Sequence, residues 1–363
     1  MSSVQNSKTR IFYLDFLRVF AIFNIIANHA MNRAFYNFSC QELDLAAMSM
    51  PGTVLKAFLT MFSRVGVFLF VMITGKLILN KDFTQEGALP RFLKHNWLSL
   101  SITTELWFFL MFWELQLLGE KVPIGSLFQT LLFTNQVTMN NMWYMNMLLV
   151  VYLVLPVFAL ALRKLSPKVF LLPLGLLLLG AILVPTANDL LGLLGSHRDI
   201  DFAFQPKYLF SMFAIYLILG YFLDKGLLEN LSSSLLYTTF ALTLIAMTAV
   251  QVYGYESPKN YLFDNSNFGF LVLALCIFEG ARRHADAFER FREPVTRLSG
   301  MTFAIYLLHM CVMHAMHYFM QDLGLNHWLY FVILYVGSIV GSLLFITLGS
   351  RSKIIKQYFF LIK

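Results

Sequence analysis

Residues 13–30 read YLDFLRVFAIFNIIANHA, an apolar stretch of helix length that is interrupted by Asp15, Arg18 and His29. Arg18 and His29 are eleven residues apart, which on an α-helix gives roughly 16 Å of rise and about 20° of rotation, so the two side chains share one face. Asp15 lies one turn before Arg18 on nearly the same face. Ionisable groups at membrane depth are costly and usually face a polar interior, so this face is predicted to belong to an active site.

The composition of the chain is that of a membrane protein. Of its 363 residues, 58% are hydrophobic and only 13% are charged, which excludes an ordinary soluble domain. Apolar stretches that reach, or nearly reach, the ~20 residues of a membrane-spanning helix cover residues 11–31, 57–79, 96–117, 142–162, 169–186, 208–223, 235–253, 268–281, 299–319 and 328–348. The sequence therefore predicts an all-α, polytopic integral membrane protein with about ten transmembrane helices. Segment 127–139 is too short and polar to span easily, and predicts a re-entrant or interfacial helix.

Charge sets the predicted topology. The net charge of +7 comes from Lys and Arg in short blocks between the apolar stretches, which is the pattern of the positive-inside rule rather than of nucleic-acid binding. It predicts that both termini are cytoplasmic, with tails at residues 1–10 and 349–363. No linker or second domain is evident, so residues 1–363 are predicted to form a single transmembrane domain.

A few further polar residues fall inside the predicted spans. Arg64 and Lys76 lie in the second span, where Arg64 either faces the interior as a second cation or snorkels to the outer surface. Glu105 lies in the third span and is expected to pair with a cation. In the ninth span, polar residues recur every three or four positions and share one helix face: Ser299, Thr302, Tyr306 and His309.

Four motifs follow one another along the chain. They are Arg18-x10-His29, SRVGVFLFVMITG at residues 63–75, NNMWYMNMLLVVYLVLP at 140–156 and SGMTFAIYLLHMCVMH at 299–314. In this order the motifs resemble those of the bacterial acyltransferase family 3, whose members acylate cell-surface glycans. The likeness covers nearly the whole chain and is greatest to the stand-alone O-acetyltransferases of the enterobacterial common antigen type.

The resemblance implies roles for the polar residues. In this role His29 would be the base that activates an acceptor hydroxyl, since a neutral imidazole can accept a proton. The alternative is an interfacial histidine that is bonded to a neighbouring helix. Arg18 binds a CoA phosphate or the acyl carbonyl, pairs with Asp15, or does both. Tyr306 and His309 would orient the acceptor or the first histidine, although a lone histidine on an apolar helix is more often structural.

The resemblance also implies substrate-binding roles for two other groups of residues, and each group has a simpler structural explanation. Arg91, Lys94 and His95 would meet acyl-CoA phosphates, or they simply follow the positive-inside rule. Trp143 and Tyr144 would contact the acceptor, or they belong to an aromatic belt at the membrane interface.

The resemblance implies an O-acyltransferase, most specifically an O-acetyltransferase, of the bacterial plasma (inner) membrane. Acetyl-CoA would be its donor substrate, with no permanently bound cofactor, and a surface glycan or its lipid-linked precursor would be the acceptor. The histidines are scattered and lack the spacing of metal ligands, so no metal site is predicted. Membrane lipid is an expected partner, nucleic acid is not, and a homo-oligomer stays open. The alternatives are a glycan or lipid transporter or exporter, in which the charges line a translocation path, and a membrane scaffold.

Overall fold

The computed structural model describes residues 11–35, 48–133, 140–194, 200, 212–256 and 265–362. Within these residues the chain is helical and has no β-strand. Its α-helices are α1 (Phe12–Phe35), α2 (Met50–Ser63), α3 (Val65–Leu79), α4 (Ala88–Phe92), α5 (Leu98–Leu117), α6 (Ile124–Leu131), α7 (Trp143–Lys164), α8 (Leu171–Leu178), α9 (Val184–Leu193), α10 (Phe213–Asp224), α11 (Ser233–Glu256), α12 (Phe268–His284), α13 (Arg292–Ser299), α14 (Thr302–Met320) and α15 (His327–Gly349).

Short helical turns of other types connect several of these helices. Turns of π-helix join α4 to α5 at Leu93–Trp97 and α8 to α9 at Leu179–Leu183, and a third follows α15 at Ile355–Phe359. Turns of 3₁₀-helix are found at Asn140–Met142, Pro167–Phe170 and Ala285–Phe291.

The helices confirm the prediction of an all-α, polytopic membrane protein. Eight stretches among the described residues are long and apolar enough to cross a membrane: Phe12–Phe35, Met50–Leu79, Ala88–Leu117, Trp143–Lys164, Lys168–Leu193, Ser233–Tyr255, Thr302–Met320 and His327–Gly349. The other two predicted spans coincide with shorter helices, α10 with 12 residues and α12 with 17. The total of ten transmembrane helices therefore stays a prediction.

The second predicted span differs from the structure in its start and in its continuity. The helix begins at Met50, where the sequence predicts a start near residue 57, because Pro51 occupies the first turn, a position in which proline is compatible with a helix. The stretch is also divided into α2 and α3, with Arg64 between them. Just beyond this junction, a Cβ on Gly66 would lie 2.6 Å from the Ala21 carbonyl oxygen, so α3 packs closely on α1.

Helix α1 lies at the centre of the bundle. It packs against α2, α3, α12, α13, α14 and α15, and several of its apolar side chains, including Leu17, Ile22 and Ile26, are fully buried. Because protein surrounds α1 along its length, its charged residues face other helices rather than lipid.

Helices α3 and α10 pack through a reciprocal pair of glycines. A Cβ on Gly75 would lie 2.0 Å from the Leu217 carbonyl oxygen, and a Cβ on Gly220 would lie 2.1 Å from the Met72 carbonyl oxygen. Each helix therefore presents its backbone to the other at a glycine. Small residues at such contacts allow the close helix packing on which membrane bundles depend.

The outward face of α15 is a continuous apolar surface. Leu329, Val332, Val336, Val340 and Leu344 are all exposed at helical spacing. An exposed apolar stripe of this length is unusual in a soluble protein and suits contact with lipid chains. On the opposite, inward face, two small polar residues are fully buried: Ser338 and Ser342.

The two ends of the described chain lie on one side of the bundle, because Arg18 near the start of α1 and Lys356 after α15 line the same cavity. The ends of other helices meet there as well. Asp82, after α3, forms an ion pair of 3.2 Å with Arg163 of α7, and Arg283 of α12 donates a 2.6 Å hydrogen bond to the Leu231 carbonyl. We call this the basic side. The positive-inside rule predicts that it faces the cytoplasm.

Candidate active site

A cavity of about 780 Å³ lies between α1, α3, α5, α7, α14 and the chain that follows α15. Its basic and amide side chains are Arg18, His95, Asn96, Lys353, Lys356 and Gln357. Its hydroxyl side chains include Thr74, Tyr144, Tyr152, Ser299, Thr302 and Tyr306. None of the described residues on its wall is an Asp or a Glu. The cavity therefore favours an anionic ligand.

The cavity extends from the basic side into the interior. Tyr144 and Tyr152 lie eight residues apart on α7, which is about 12 Å along a helix axis, and both line the wall. At the basic side, His95 and Lys353 are exposed to solvent. A ligand entering from that side would pass the basic residues before it reaches the tyrosines.

Arg18 is held on the cavity wall by a buried carboxylate. Its Nη1 donates a 2.9 Å hydrogen bond to Oδ1 of Asp15, which is 1% exposed. The Ser299 hydroxyl donates a 2.6 Å hydrogen bond to the same oxygen. The pairing that the spacing predicts for Asp15 and Arg18 is thus present. One ion pair orients a guanidinium that carries five N–H donors without using all of them.

Aromatic and imidazole rings form a layer at the deep end of the cavity. The ring centroids are 5.3 Å apart for Tyr144 and Tyr306, 5.7 Å for Tyr306 and His309, and 5.3 Å for His309 and His29. The Tyr306 hydroxyl donates a hydrogen bond to the Asn141 carbonyl. The layer connects the cavity with His29, which does not itself line the cavity.

The hydrogen bonds of His309 indicate its tautomer. Its Nδ1 lies 2.6 Å from the Tyr306 carbonyl oxygen and 3.2 Å from the Ile305 carbonyl oxygen. A carbonyl only accepts, so Nδ1 carries the proton and Nε2 of the neutral ring keeps its lone pair. This Nε2 is buried and has no hydrogen-bond partner among the described residues. It can accept a proton or a hydrogen bond from a bound group.

A second polar cluster lies beyond His29 on the side away from the cavity. Arg33 follows His29 by one helical turn, and its charge acts on His29, His314 and His317. The His317 ring hydrogen-bonds the Tyr330 hydroxyl. His29 thus lies between two polar regions, the cavity on one side and this cluster on the other. The spacing of His314 and His317 alone indicates only structural or interfacial residues.

The three residues predicted to bind acyl-CoA do not share one location. His95 lines the cavity, whereas Arg91 and Lys94 are exposed and do not. The Arg91 guanidinium donates to the carbonyls of Gly87, at 3.1 Å, and Glu86, at 3.4 Å.

The remaining predicted site residues lie outside the cavity wall. Arg64 is half-buried, with its guanidinium 6.0 Å from the centroid of the Phe270 ring. Glu105 is half-buried on α5, and no cation among the described residues forms an ion pair with it. Trp143 stacks on Phe213 with ring centroids 5.4 Å apart. Of the pair predicted to contact the acceptor, only Tyr144 faces the cavity.

Lys76 forms an ion pair away from the cavity. Its Nζ lies 3.1 Å from Oδ1 of Asp224 at the end of α10. The same carboxylate accepts hydrogen bonds from Asn80, at 3.1 Å, and from the Tyr13 hydroxyl, at 3.2 Å. The contact joins α1, α3 and α10 on the basic side.

Sequence reasoning did not single out the residues that the C-terminal chain contributes. Lys353, Lys356 and Gln357 form part of the cavity wall, yet the sequence shows only basic residues after a last span, which the positive-inside rule already explains. Tyr152 was not singled out either, although it lies within the third motif. Their shared location depends on contacts between helices that are distant in sequence.

The arrangement combines a basic entrance, hydroxyl groups along an internal wall and two neighbouring imidazoles. These are the groups needed to bind an anionic donor, to stabilise a developing oxyanion and to move a proton. In the described part of the chain, no three His, Cys, Asp or Glu side chains are grouped as metal ligands would be.

A comparison with protein families finds a match. The family model described as "Acyltransferase domain" matches residues 11–347, nearly the whole chain. Comparisons with curated proteins and with solved structures find no match. The matched range contains Arg18, His29 and His309, although it ends before Lys353. The chain therefore belongs to acyltransferase family 3 and is a multi-pass membrane acyltransferase.

Proposed function

We infer that the protein is an O-acyltransferase that moves an acetyl group from acetyl-CoA to a hydroxyl of a cell-surface glycan or its lipid-linked precursor. The observation that carries this inference is the cavity, because it joins a basic entrance at Lys353 and Lys356 to the ring layer in front of His29. Its volume of about 780 Å³ falls in the range of about 300–1,000 Å³ that is usual for small-molecule sites.

The charge of the cavity supports a CoA thioester as the donor. Lys353 and Lys356 provide two cations on a wall whose described residues include no carboxylate, and Arg18, which is paired with Asp15, provides a third cation with N–H donors to spare. CoA carries its phosphates at one end and the thioester at the other. With the phosphates near the basic side, the thioester would extend inward toward Tyr144 and Tyr306.

The acceptor would approach from the opposite side of the ring layer. His29 lies between the cavity and the cluster that contains Arg33 and His317, and sugar hydroxyls bind readily to such polar side chains. Two substrates would then meet at the ring layer from opposite faces of the membrane. This arrangement suits a donor from the cytoplasm and an acceptor from the outer leaflet.

The transfer itself needs a base and an oxyanion donor. His29 accepts the proton of the acceptor hydroxyl as its oxygen attacks the thioester carbonyl, so that a C–O bond forms. The Tyr144 hydroxyl lies on the cavity wall and its ring belongs to the layer that reaches His29, so we assign it to stabilise the oxyanion. When the C–S bond breaks, the imidazolium returns its proton to the CoA thiolate.

The test is acetyl transfer by the full-length protein in nanodiscs. It would receive acetyl-CoA labelled in the acetyl group together with an extract of envelope glycans, and CoA release and labelled product would be followed. Wild-type protein is expected to release CoA only with the extract, and His29→Ala is expected to lose this activity. The matched control is His284→Ala, because His284 is exposed on the basic side and lies outside the cavity.

Three outcomes would count against the proposal. Release of CoA without labelled product would indicate hydrolysis alone. Equal activity in wild type and His29→Ala would remove His29 from the mechanism. Movement of unmodified glycan across a sealed bilayer with no thioester cleavage would support the transporter alternative.

The proposed function includes a location and partners. We place the protein in the plasma (inner) membrane of a bacterium, because the family resemblance and the basic side both suit a donor from the cytoplasm. Membrane lipid and a glycan or lipid-linked glycan are the partners in this proposal. A homo-oligomer would be tested by the mass of the detergent-solubilised protein.

A further inference from the structure

The chain after α15 turns back and covers the basic side of the cavity. Two buried side chains of α5 hold it: the Thr103 hydroxyl donates a 2.6 Å hydrogen bond to the Tyr358 carbonyl, and the Trp107 indole N–H donates a 2.9 Å hydrogen bond to the Phe359 carbonyl. The next residue, Phe360, is 5% exposed and packs in the core. We call residues 353–362 the C-terminal strap. It is fixed to the bundle as part of the fold.

The C-terminal strap gives the cavity two of its cations. Lys353, Lys356 and Gln357 line the wall, together with the apolar residues Leu361 and Ile362. Neither lysine forms an ion pair within the part of the chain that the structure describes. Arg18 and His95 lie on the same wall and come from α1 and from the turn before α5. Basic side chains from three separate parts of the chain thus meet at one entrance.

Asp15 pairs with Arg18 behind the cavity wall, and three other carboxylates pair with arginines away from the cavity. Asp82 pairs with Arg163 at 3.2 Å, Glu279 pairs with Arg282 at 2.8 Å, and Glu293 pairs with an arginine on its own helix, α13, at 3.2 Å. None of these acids is on the cavity wall. The charges of Lys353 and Lys356 are therefore not neutralised by a carboxylate among the described wall residues.

We propose that the C-terminal strap forms the phosphate-binding wall of the donor site, with Lys353 and Lys356 contacting phosphate groups of the acyl-CoA. Lysine binds phosphate as a flexible point charge, and the apolar residues Leu361 and Ile362 would contact the less polar arm of the same ligand. This inference rests on the proposed function, because it assigns the donor's binding residues. In this proposal the principal phosphate contacts come from the chain after the last span, and not from Arg91 and Lys94 as the sequence predicts.

The first test compares ligand binding by full-length variants in nanodiscs of phosphatidylcholine. Probes are CoA and 3′-dephospho-CoA, which lacks one phosphate, and affinity is measured by calorimetry at several salt concentrations. For Lys353→Ala/Lys356→Ala we expect the Kd for CoA to rise tenfold or more and its salt dependence to weaken. Removal of the 3′-phosphate should weaken binding to the wild type more than to this double variant. The double Lys→Arg variant should retain most of the affinity.

The matched control is Arg351→Ala. Arg351 is an exposed cation just before the C-terminal strap that does not line the cavity, so its removal should leave the Kd for CoA within about twofold. The same elution profile and melting temperature in all variants would show that they are folded.

A second test acts on the anchor and leaves the lysines in place. Thr103 and Thr104 are adjacent and fully buried, but the Thr104 hydroxyl donates at 2.8 Å to Leu100 of its own helix. Thr103→Val is therefore expected to raise the Kd for CoA several-fold, while Thr104→Val should not. A result in which both variants bind CoA as the wild type does would show that the position of the strap is not needed.

The phosphate of an anionic lipid headgroup has the same chemistry, so a third arm uses nanodiscs that contain phosphatidylglycerol. If the double Lys→Ala variant loses retention of this lipid but binds CoA normally, the strap is a lipid site and the proposal is overturned. Equal CoA binding by wild type and the double variant also overturns it. If the wild type binds CoA with the expected lysine dependence but transfers no acyl group, the proposed function fails while the binding wall stands.

Discussion

His29 and His309 face each other across the interface between α1 and α14, with ring centroids 5.3 Å apart and inclined at 43°. The two backbone carbonyls near Nδ1 fix the tautomer of His309. Among the residues that the structure describes, no hydrogen bond constrains the ring of His29 in this way. The pair therefore combines one oriented imidazole with one whose ring nitrogens are available for proton transfer.

The first prediction separates these two roles. His29→Ala should lower kcat by about 10²- to 10⁴-fold, the usual contribution of a general base. His309→Gln should lower it less, because the amide can still present a polar group toward His29. The measurement is steady-state acetyl transfer with saturating donor. An equal loss of kcat in both variants would mean that the two rings act as one unit. A larger loss for His309→Gln would indicate that His309 is the base.

The second prediction concerns the hydroxyl that supports Asp15. Ser299→Ala should destabilise the protein by about 1.5–3 kcal/mol, the range for a hydrogen bond to a charged group, and should lower activity because Arg18 loses part of its support. The control is Ser338→Ala, since Ser338 is fully buried and its hydroxyl has no hydrogen-bond partner among the described residues. Thermal unfolding in detergent should show a clear loss for the first variant and little for the second.

The third prediction tests the glycine contact between α3 and α10. Gly75→Ala or Gly220→Ala would place a methyl group about 2 Å from a backbone oxygen of the other helix, and backbone yields less easily than a side chain. Each should cost about 3 kcal/mol or more. Gly175→Ala is the control, because a Cβ there meets nothing within 4 Å. A normal melting temperature for both contact variants would show that the helices can separate freely.

The fourth prediction concerns Lys76 and Asp224. Lys76 is 6% exposed, so Lys76→Met leaves a carboxylate without its cation, at a cost below the ~3–5 kcal/mol typical of a fully buried pair because Asp224 is partly exposed. The double variant Lys76→Met/Asp224→Asn should recover part of this loss. A double-mutant cycle on thermal stability measures the coupling, and purely additive losses would argue against a specific pair.

The parts of the site that lie on a single helix could be predicted from the sequence. The Asp15–Arg18 pair follows from helical spacing, as does the proximity of Tyr306 and His309 on α14, because a period of 3.6 residues is a local property. The prediction that Ser299 shares their helix is wrong, because α13 ends at Ser299 and α14 begins at Thr302. The all-α membrane fold follows from the length and apolar character of the spans.

Contacts between distant parts of the chain could not be predicted in this way. Lys76 meets Asp224 across 148 residues, and the Thr103 hydroxyl meets the Tyr358 carbonyl across 255. The sequence around either residue does not identify its contact partner. For the same reason, the sequence relates Lys353 only to the positive-inside rule. The fold brings this lysine to the cavity wall that also carries Arg18.

Both hydrogen bonds that hold the C-terminal strap end on main-chain carbonyls, at Tyr358 and Phe359. A main-chain carbonyl is present whatever the side chain. These bonds therefore require particular side chains at positions 103 and 107 of α5, but they do not require particular side chains at positions 358 and 359 of the strap. Evolution could therefore exchange the side chains of the strap without releasing it from the bundle. We expect relatives that keep Thr103 and Trp107 to differ most in the C-terminal strap when they use different acyl-CoA substrates. Exchange of the strap between two such relatives should then transfer part of the preference for the acyl-CoA.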